Sequence, residues 1–129
     1  MKNQLRIIGG EWKRRQLPFA SVDGLRPTPD RVRETLFNWL MWDIQNTHVL
    51  DLCAGSGALS FEALSRGAAH VIMIEPNRNQ AEFLTNNLQL LKVTNQRAKL
   101  KIATAQQTLP TLKEQFDLVF LDPPYSLDL

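Results

Sequence analysis

Residues His48–Gly57 read His-Val-Leu-Asp-Leu-Cys-Ala-Gly-Ser-Gly, a short apolar run that breaks at two glycines before the helix-forming stretch Ala58–Arg66. A strand, a glycine turn and a helix in direct succession leave few folds open. The unit opens a nucleotide-binding βαβ arrangement, in which a ligand sits above the carboxyl end of the strand. Gly55 and Gly57 let the backbone turn tightly and let a ligand approach without meeting a Cβ. Asp51, ahead of the glycines, narrows the ligand. A carboxylate there repels the pyrophosphate of a dinucleotide, and Ser60 stands where the third glycine of Gly-x-Gly-x-x-Gly would fall. A ligand carrying an ammonium and a sulfonium is attracted instead. Asp-x-x-x-Gly-x-Gly therefore points to S-adenosylmethionine rather than NAD, the plain alternative being an ordinary glycine turn after a buried strand.

The rest of the chain alternates in the same way. Leu5–Ile8 reads as a short strand ended by Gly9-Gly10, and Glu11–Leu17 as its return, a hairpin carrying Trp12, Lys13, Arg14 and Arg15 on the second arm. Basic residues interleaved with an aromatic suit RNA backbone contact plus base stacking. After a loop through Arg26-Pro27, Thr28-Pro29 starts a helix, threonine as N-cap and proline at the first helical position. Val32, Leu36, Phe37, Trp39 and Leu40 give it an apolar stripe. Arg26, Arg31 and Arg33 cluster about its start, either as solvated charges on a packing helix or near a cofactor or substrate phosphate.

Beyond the organising motif, Ala58–Arg66 is predicted helical with Leu59, Ala63 and Leu64 inward, and Gly67 terminates it. His70–Glu75 is a buried strand with an acidic last residue. Glu75 lies 18 residues after Gly57, close to the separation of about 20 expected of a carboxylate that binds ribose hydroxyls. Asn77 caps a helix running to about Leu91, with Ala81, Leu84, Leu88 and Leu91 on one face. Leu100–Ala103 reads as a third strand, Thr108–Gln115 as a helix broken near Pro110, and Asp117–Leu121 as a fourth strand buried on both faces. The pattern implies an α/β fold, a Rossmann-like parallel sheet covered on both sides. Residues 1–27 form a basic hairpin extension and 28–129 the cofactor domain.

Charge is unevenly spread. Eight of the fifteen Lys and Arg lie in residues 1–33 against three acids (Glu11, Asp23, Asp30), leaving seven bases against ten acids in the remainder. A basic amino-terminal arm on a nearly neutral domain suggests a polyanionic partner, the bland alternative being a solvated face. No apolar run approaches the ~20 residues of a membrane span, and Met1–Gly10 has no continuous apolar core of a secretory signal. The single cysteine, Cys53, excludes an internal disulfide and suits a reducing cytoplasm. It reads as a small buried hydrophobe rather than a nucleophile.

The fourth strand runs into Asp122-Pro123-Pro124-Tyr125. Two consecutive prolines fix φ twice and remove two donors, so the turn is rigid and its carbonyls are free to accept. A carboxylate beside a proline carbonyl makes a two-acceptor site for an NH₂ group. The exocyclic amine of a purine is a poor nucleophile because its lone pair is delocalised; accepting both its hydrogens can aim that lone pair at a methyl donor. Tyr125 can stack on the base. Positioning of this kind supplies up to about 7–11 kcal/mol in favourable cases. The plain alternative is a tight turn closing a strand.

Asp51–Gly57, Glu75 and Asp122–Tyr125 together resemble the class I S-adenosylmethionine methyltransferases that modify exocyclic amines. Arg6–Gly10, Arg26-Pro27-Thr28, Asp30–Trp39 and Gly55–Arg66 further resemble the RsmD family, which methylates N2 of one guanine in bacterial 16S ribosomal RNA. The resemblance covers nearly the whole chain. It implies methionine-moiety contacts at Asp51, Ala54, Gly55 and Gly57 and ribose hydroxyls on Glu75. It places Thr104 where an Asp or Asn usually meets the adenine amine, and Asp122, Pro123 and Tyr125 around the guanine amine. RNA contacts fall to Arg6, Trp12, Lys13, Arg14, Arg15, Arg26 and Arg33, with 16S rRNA or the assembling 30S subunit as partner, no metal, no membrane and a cytoplasmic location. Arg14 departs from the family, standing where a glycine is expected. The family's sheet also continues for three more strands beyond the point where this chain ends, so the apolar fourth strand is expected to offer an open edge for association. A DNA or protein amino-methyltransferase, or a non-catalytic RNA-binding fragment, are the alternatives.

Overall fold

The computed structural model describes residues 3–20 and 29–121. A hairpin of β1 (Gln4–Arg6) and β2 (Gln16–Pro18) pairs antiparallel, Leu5 opposite Leu17. Helix α1 (Asp30–Trp39) follows, then β3 (His48–Asp51), α2 (Ala58–Ser65), β4 (His70–Ile74), α3 (Arg78–Leu90), β5 (Ala98–Lys101), α4 (Ala105–Thr108) with a 3₁₀ turn at Leu109–Thr111, and β6 (Leu118–Phe120).

The four later strands form one parallel sheet in the order β5-β4-β3-β6. The chain steps outward from β3 to β4 to β5 and then returns to the other side of β3. Alternation along each strand sends Val49, Val71, Met73, Ala98 and Phe120 to one face, where they share a core with the hairpin, α1, α2 and α3. Leu50, Leu52, Ile72 and Ile74 pack on the opposite face with Ala105, Leu112 and Phe116. Both faces are therefore covered, α2 and α3 on one side and the α4 region on the other, as right-handed crossovers require. Reversal of the strand order at β3, with β6 added on its other side, makes the carboxyl ends of β3 and β6 the topological switch point, where open α/β sheets bind ligands. Among the described residues no helix is long and apolar enough to cross a membrane.

Asn77 caps α3 as expected, its Oδ1 accepting the Gln80 N–H at 2.8 Å. Elsewhere the elements differ from the sequence reading. The hairpin strands are three residues each, and Trp12–Arg15 lie in the turn between them rather than on the second arm. In α1 the inner positions go to Arg33 and Phe37, whereas Val32 and Trp39 are exposed. The helix turns its i, i+4 pair inward because Arg33 finds a carboxylate there. β5 begins two residues early, since its register is set by β4, Val71 opposite Ala98 and Ile74 opposite Lys101. The helix expected at 108–115 lies instead at 105–108, where Thr104 and Gln107 form a reciprocal capping box. β6 is buried on one face only: Phe120 packs against Phe37 with ring centroids 5.9 Å apart, while Val119 is half exposed. Thr28 and the Asp-Pro-Pro-Tyr turn lie outside the described residues.

Candidate functional site

The turn after β3 is built as the glycines foretell. Gly55 and Gly57 are both left-handed, at φ +56 and +85. Gly57 is the residue ahead of α2, and its N–H closes the turn onto the Ala54 carbonyl at 2.8 Å. No other residue fits there without strain: a Cβ would come within 2.4 Å of Phe61 and 2.8 Å of Leu84. Ala54 is buried, its N–H given to the Ile74 carbonyl, which ties the turn to β4.

Glu75 follows β4 directly and bridges two loops. Its Oε1 accepts the Gly55 N–H at 2.8 Å and its Oε2 the Asn77 N–H at 2.9 Å. A carboxylate has about four lone-pair sites, so these two bonds leave capacity for hydroxyl donors. Asp51, by contrast, lies beneath the turn with only 1% of its surface exposed, its Oδ2 accepting from the Ser60 hydroxyl at 2.6 Å. Its carboxyl is enclosed under the turn and is not an exposed arm. Two carboxylates at the ends of β3 and β4 suit a ligand that is cationic and rich in hydroxyls, as S-adenosylmethionine is, and not a pyrophosphate. Thr104, at the end of the β5 segment, uses its hydroxyl and its N–H in the α4 capping box. β6 runs parallel to β3, Phe120 opposite Asp51, and so delivers the chain to this same end of the sheet. Asp122, Pro123, Tyr125 and Arg26 lie outside the described residues.

The residues expected to meet RNA divide sharply. Lys13, Arg14 and Arg15 are exposed at the hairpin turn. Arg14 has φ +75, a backbone position that favours glycine. Arg6 is exposed and pairs with Asp30 at 3.3 Å. Trp12 is buried, the Arg97 guanidinium 5.3 Å from its ring centroid, so its ring is not offered to a base. Arg33 is likewise buried, hydrogen-bonded to Asp30 Oδ1 at 2.8 Å and to the Arg6 carbonyl, its Nε 3.5 Å from Glu62. Burial lowers its pKa from the ordinary arginine value, with Glu62 and Asp30 pulling the other way. Both side chains belong to the interior because the hairpin folds back onto α2.

Glu62 was not singled out by the sequence reading, although an acid four residues before an arginine in an otherwise small and apolar helix is a visible signal. It is 1% exposed and accepts from Ile8 N–H, Gly9 N–H and Arg66 Nε at 3.0, 2.9 and 2.8 Å.

Residues 5–129 match the family described as conserved hypothetical protein 95. The chain belongs to this family, the RsmD family. It is 47% identical over 133 residues to the ribosomal RNA small subunit methyltransferase D of Haemophilus influenzae, spanning 99% of this chain and 67% of that protein. To the Escherichia coli protein of the same description it is 48% identical over 122 residues, 95% of this chain and 61% of that one. Among solved structures, that of an Escherichia coli protein described as a candidate methyltransferase superposes with a TM-score of 0.86 at 49% identity, covering 95% of this chain and 65% of the other. The chain thus spans about two thirds of the length of these relatives. This chain has the class I methyltransferase fold of its structural neighbours and carries an amino-terminal hairpin beside it.

Proposed function

We propose that this chain is the cofactor-binding part of an S-adenosylmethionine-dependent methyltransferase acting on the exocyclic N2 amine of a guanine in small-subunit ribosomal RNA. The observation that carries the reading is the double carboxylate, Asp51 below and Glu75 beside a left-handed Gly55–Gly57 turn at the switch point of the sheet. The relatives' descriptions supply the substrate class. The cofactor brings an electrophilic methyl group on a sulfonium. The chain's own work is binding and aim: Glu75 accepts from ribose hydroxyls, the Ala54–Gly57 backbone lines the methionine moiety, and Asp51 holds the region negative. Asp122 and the Pro123 carbonyl accept the two amine hydrogens, and Tyr125 stacks on the base. Lys13, Arg14 and Arg15 contact phosphates.

The test is methyl transfer from labelled cofactor to naked 16S RNA, protein-bound 30S particles, DNA and protein, with nucleoside mass spectrometry to locate the methyl group. Label on guanine N2 of the ribosomal substrates is expected. Label on DNA or protein alone points to the other amino-methyltransferases. Asp122→Ala should keep cofactor affinity, near −8 kcal/mol at ~1 μM, and lose on the order of 10²-fold or more in kcat. Wild-type turnover in that variant would reduce Asp122 to a residue that only shapes the turn.

A further inference from the structure

Helix α2 holds the cofactor turn at its first residue and the basic hairpin at its last. The means is polar and buried. Glu62, midway along, is surrounded by Ala, Leu, Phe and Ser of its own helix, an environment in which a carboxylate is costly unless it is paired and hydrogen-bonded. Both oxygens are paired, Oε2 by two hydrogen bonds and Oε1 by one hydrogen bond and an ion-pair contact. Oε1 accepts from Ile8 N–H and lies 3.5 Å from Arg33 Nε; Oε2 accepts from Gly9 N–H and Arg66 Nε. One turn on, Ser65 continues the contact. Its hydroxyl accepts from Trp12 N–H at 2.9 Å and donates to the Gly9 carbonyl at 2.6 Å, and its own carbonyl accepts from Glu11 N–H at 2.7 Å. Gly10 sits so close that a Cβ there would lie 2.0 Å from the Ser65 carbonyl oxygen. The backbone from Ile8 to Trp12 is therefore docked, and Lys13, Arg14 and Arg15, which follow it directly, are exposed to water.

We infer that Glu62 is a positioning residue for RNA: it locks the basic turn at a fixed distance and angle from the cofactor turn through a single helix about 12 Å long. The inference rests on the proposed action on ribosomal RNA. Three phosphate-binding side chains held rigidly act together, whereas on a loose hairpin each must be ordered on binding, which weakens affinity.

The test is Glu62→Gln, which keeps size but puts an amide NH₂ where only acceptors fit. Hydrogen exchange of the amides at 8–15 should accelerate at least tenfold while exchange in β3 and β4 is unchanged. Affinity for 16S RNA should fall about five- to tenfold with a shallower salt dependence, and KM for RNA should rise more than kcat falls. Cofactor affinity should stay within twofold. In a background with Lys13, Arg14 and Arg15 all changed to Ala, the Glu62→Gln effect on RNA affinity should vanish. Should Glu62→Gln fail to fold, Ser65→Ala is read in the same way.

Unchanged RNA affinity despite a loosened hairpin overturns the inference, as does an undiminished Glu62→Gln effect in the neutralised background. So does a loss of RNA and cofactor binding in equal measure, which marks Glu62 as a general fold residue. Absence of RNA binding by the wild-type protein instead removes the underlying ribosomal RNA reading, and is recognised because no variant is needed to see it.

Discussion

Gly57→Ala probes the turn on which the cofactor reading depends. At φ +85 the backbone is left-handed, a conformation that costs an L-residue roughly 1–2 kcal/mol. The added methyl would sit 2.4 Å from Phe61 Cε2 and 2.8 Å from Leu84 Cδ2. Both side chains are fully buried, so neither can swing into solvent, and forcing an atom into such packing costs about 1–3 kcal/mol. Stiffening of the unfolded chain by alanine returns about 0.4–1 kcal/mol. The expected net loss is about 2–4 kcal/mol, which at a slope near 2 kcal/mol per M lowers the urea midpoint by roughly 1–2 M. Fluorescence-monitored urea unfolding of wild type and variant measures it. Combining the change with Phe61→Leu should give a coupling of about 1 kcal/mol or more, because the smaller side chain relieves the contact but not the backbone. A Gly57→Ala protein with a midpoint within about 0.3 M of wild type would refute both the left-handed turn and its packing.

Two further outcomes follow from single residues. Arg14 holds φ +75 without being glycine, so Arg14→Gly should stabilise the protein by about 0.5–1 kcal/mol, the relief of left-handed strain less glycine's extra unfolded-state entropy. A thermal midpoint that falls would contradict the hairpin geometry. Ser60→Ala removes the 2.6 Å bond to a carboxylate buried to 1% and should cost about 1–3 kcal/mol; an unchanged urea midpoint would mean that Asp51 is satisfied without it.

What could be read from the sequence was whatever is decided within a few residues. The strand, glycine turn and helix at 48–65 are fixed by local chemistry and formed where expected, as did the Asn77 cap, and the acid expected as the last residue of β4 lies directly after it. The parallel sheet covered on both faces followed from the alternation of strands and helices. Long-range pairings were not legible. Trp12 among Lys13, Arg14 and Arg15 reads as an exposed aromatic, yet Ser65 and Arg97, more than fifty residues away, draw it inside. Arg33 is hidden for a related reason: the Arg6 carbonyl and Glu62, both distant in sequence, join Asp30 in making its burial tolerable. The capping box at Thr104 and Gln107 was within local reach, yet the helix was expected only from Thr108. At β5 the lysines at 99 and 101 mask a strand whose register comes from its neighbour.

The hairpin's apolar side chains, Leu5, Ile7, Trp12 and Leu17, share one core cluster with Phe37, Phe61 and Leu64. A hairpin on a tether can be deleted, exchanged or copied onto an unrelated protein; this one cannot, since cutting it away would open the interior. It is not a portable module. Substitutions that leave the interior untouched are thereby confined to the side chains that stand clear of the core, Lys13, Arg14 and Arg15 at the turn among them. Any deeper change to the hairpin would have to be matched by a change in α1 or α2, so these segments are expected to drift together rather than apart.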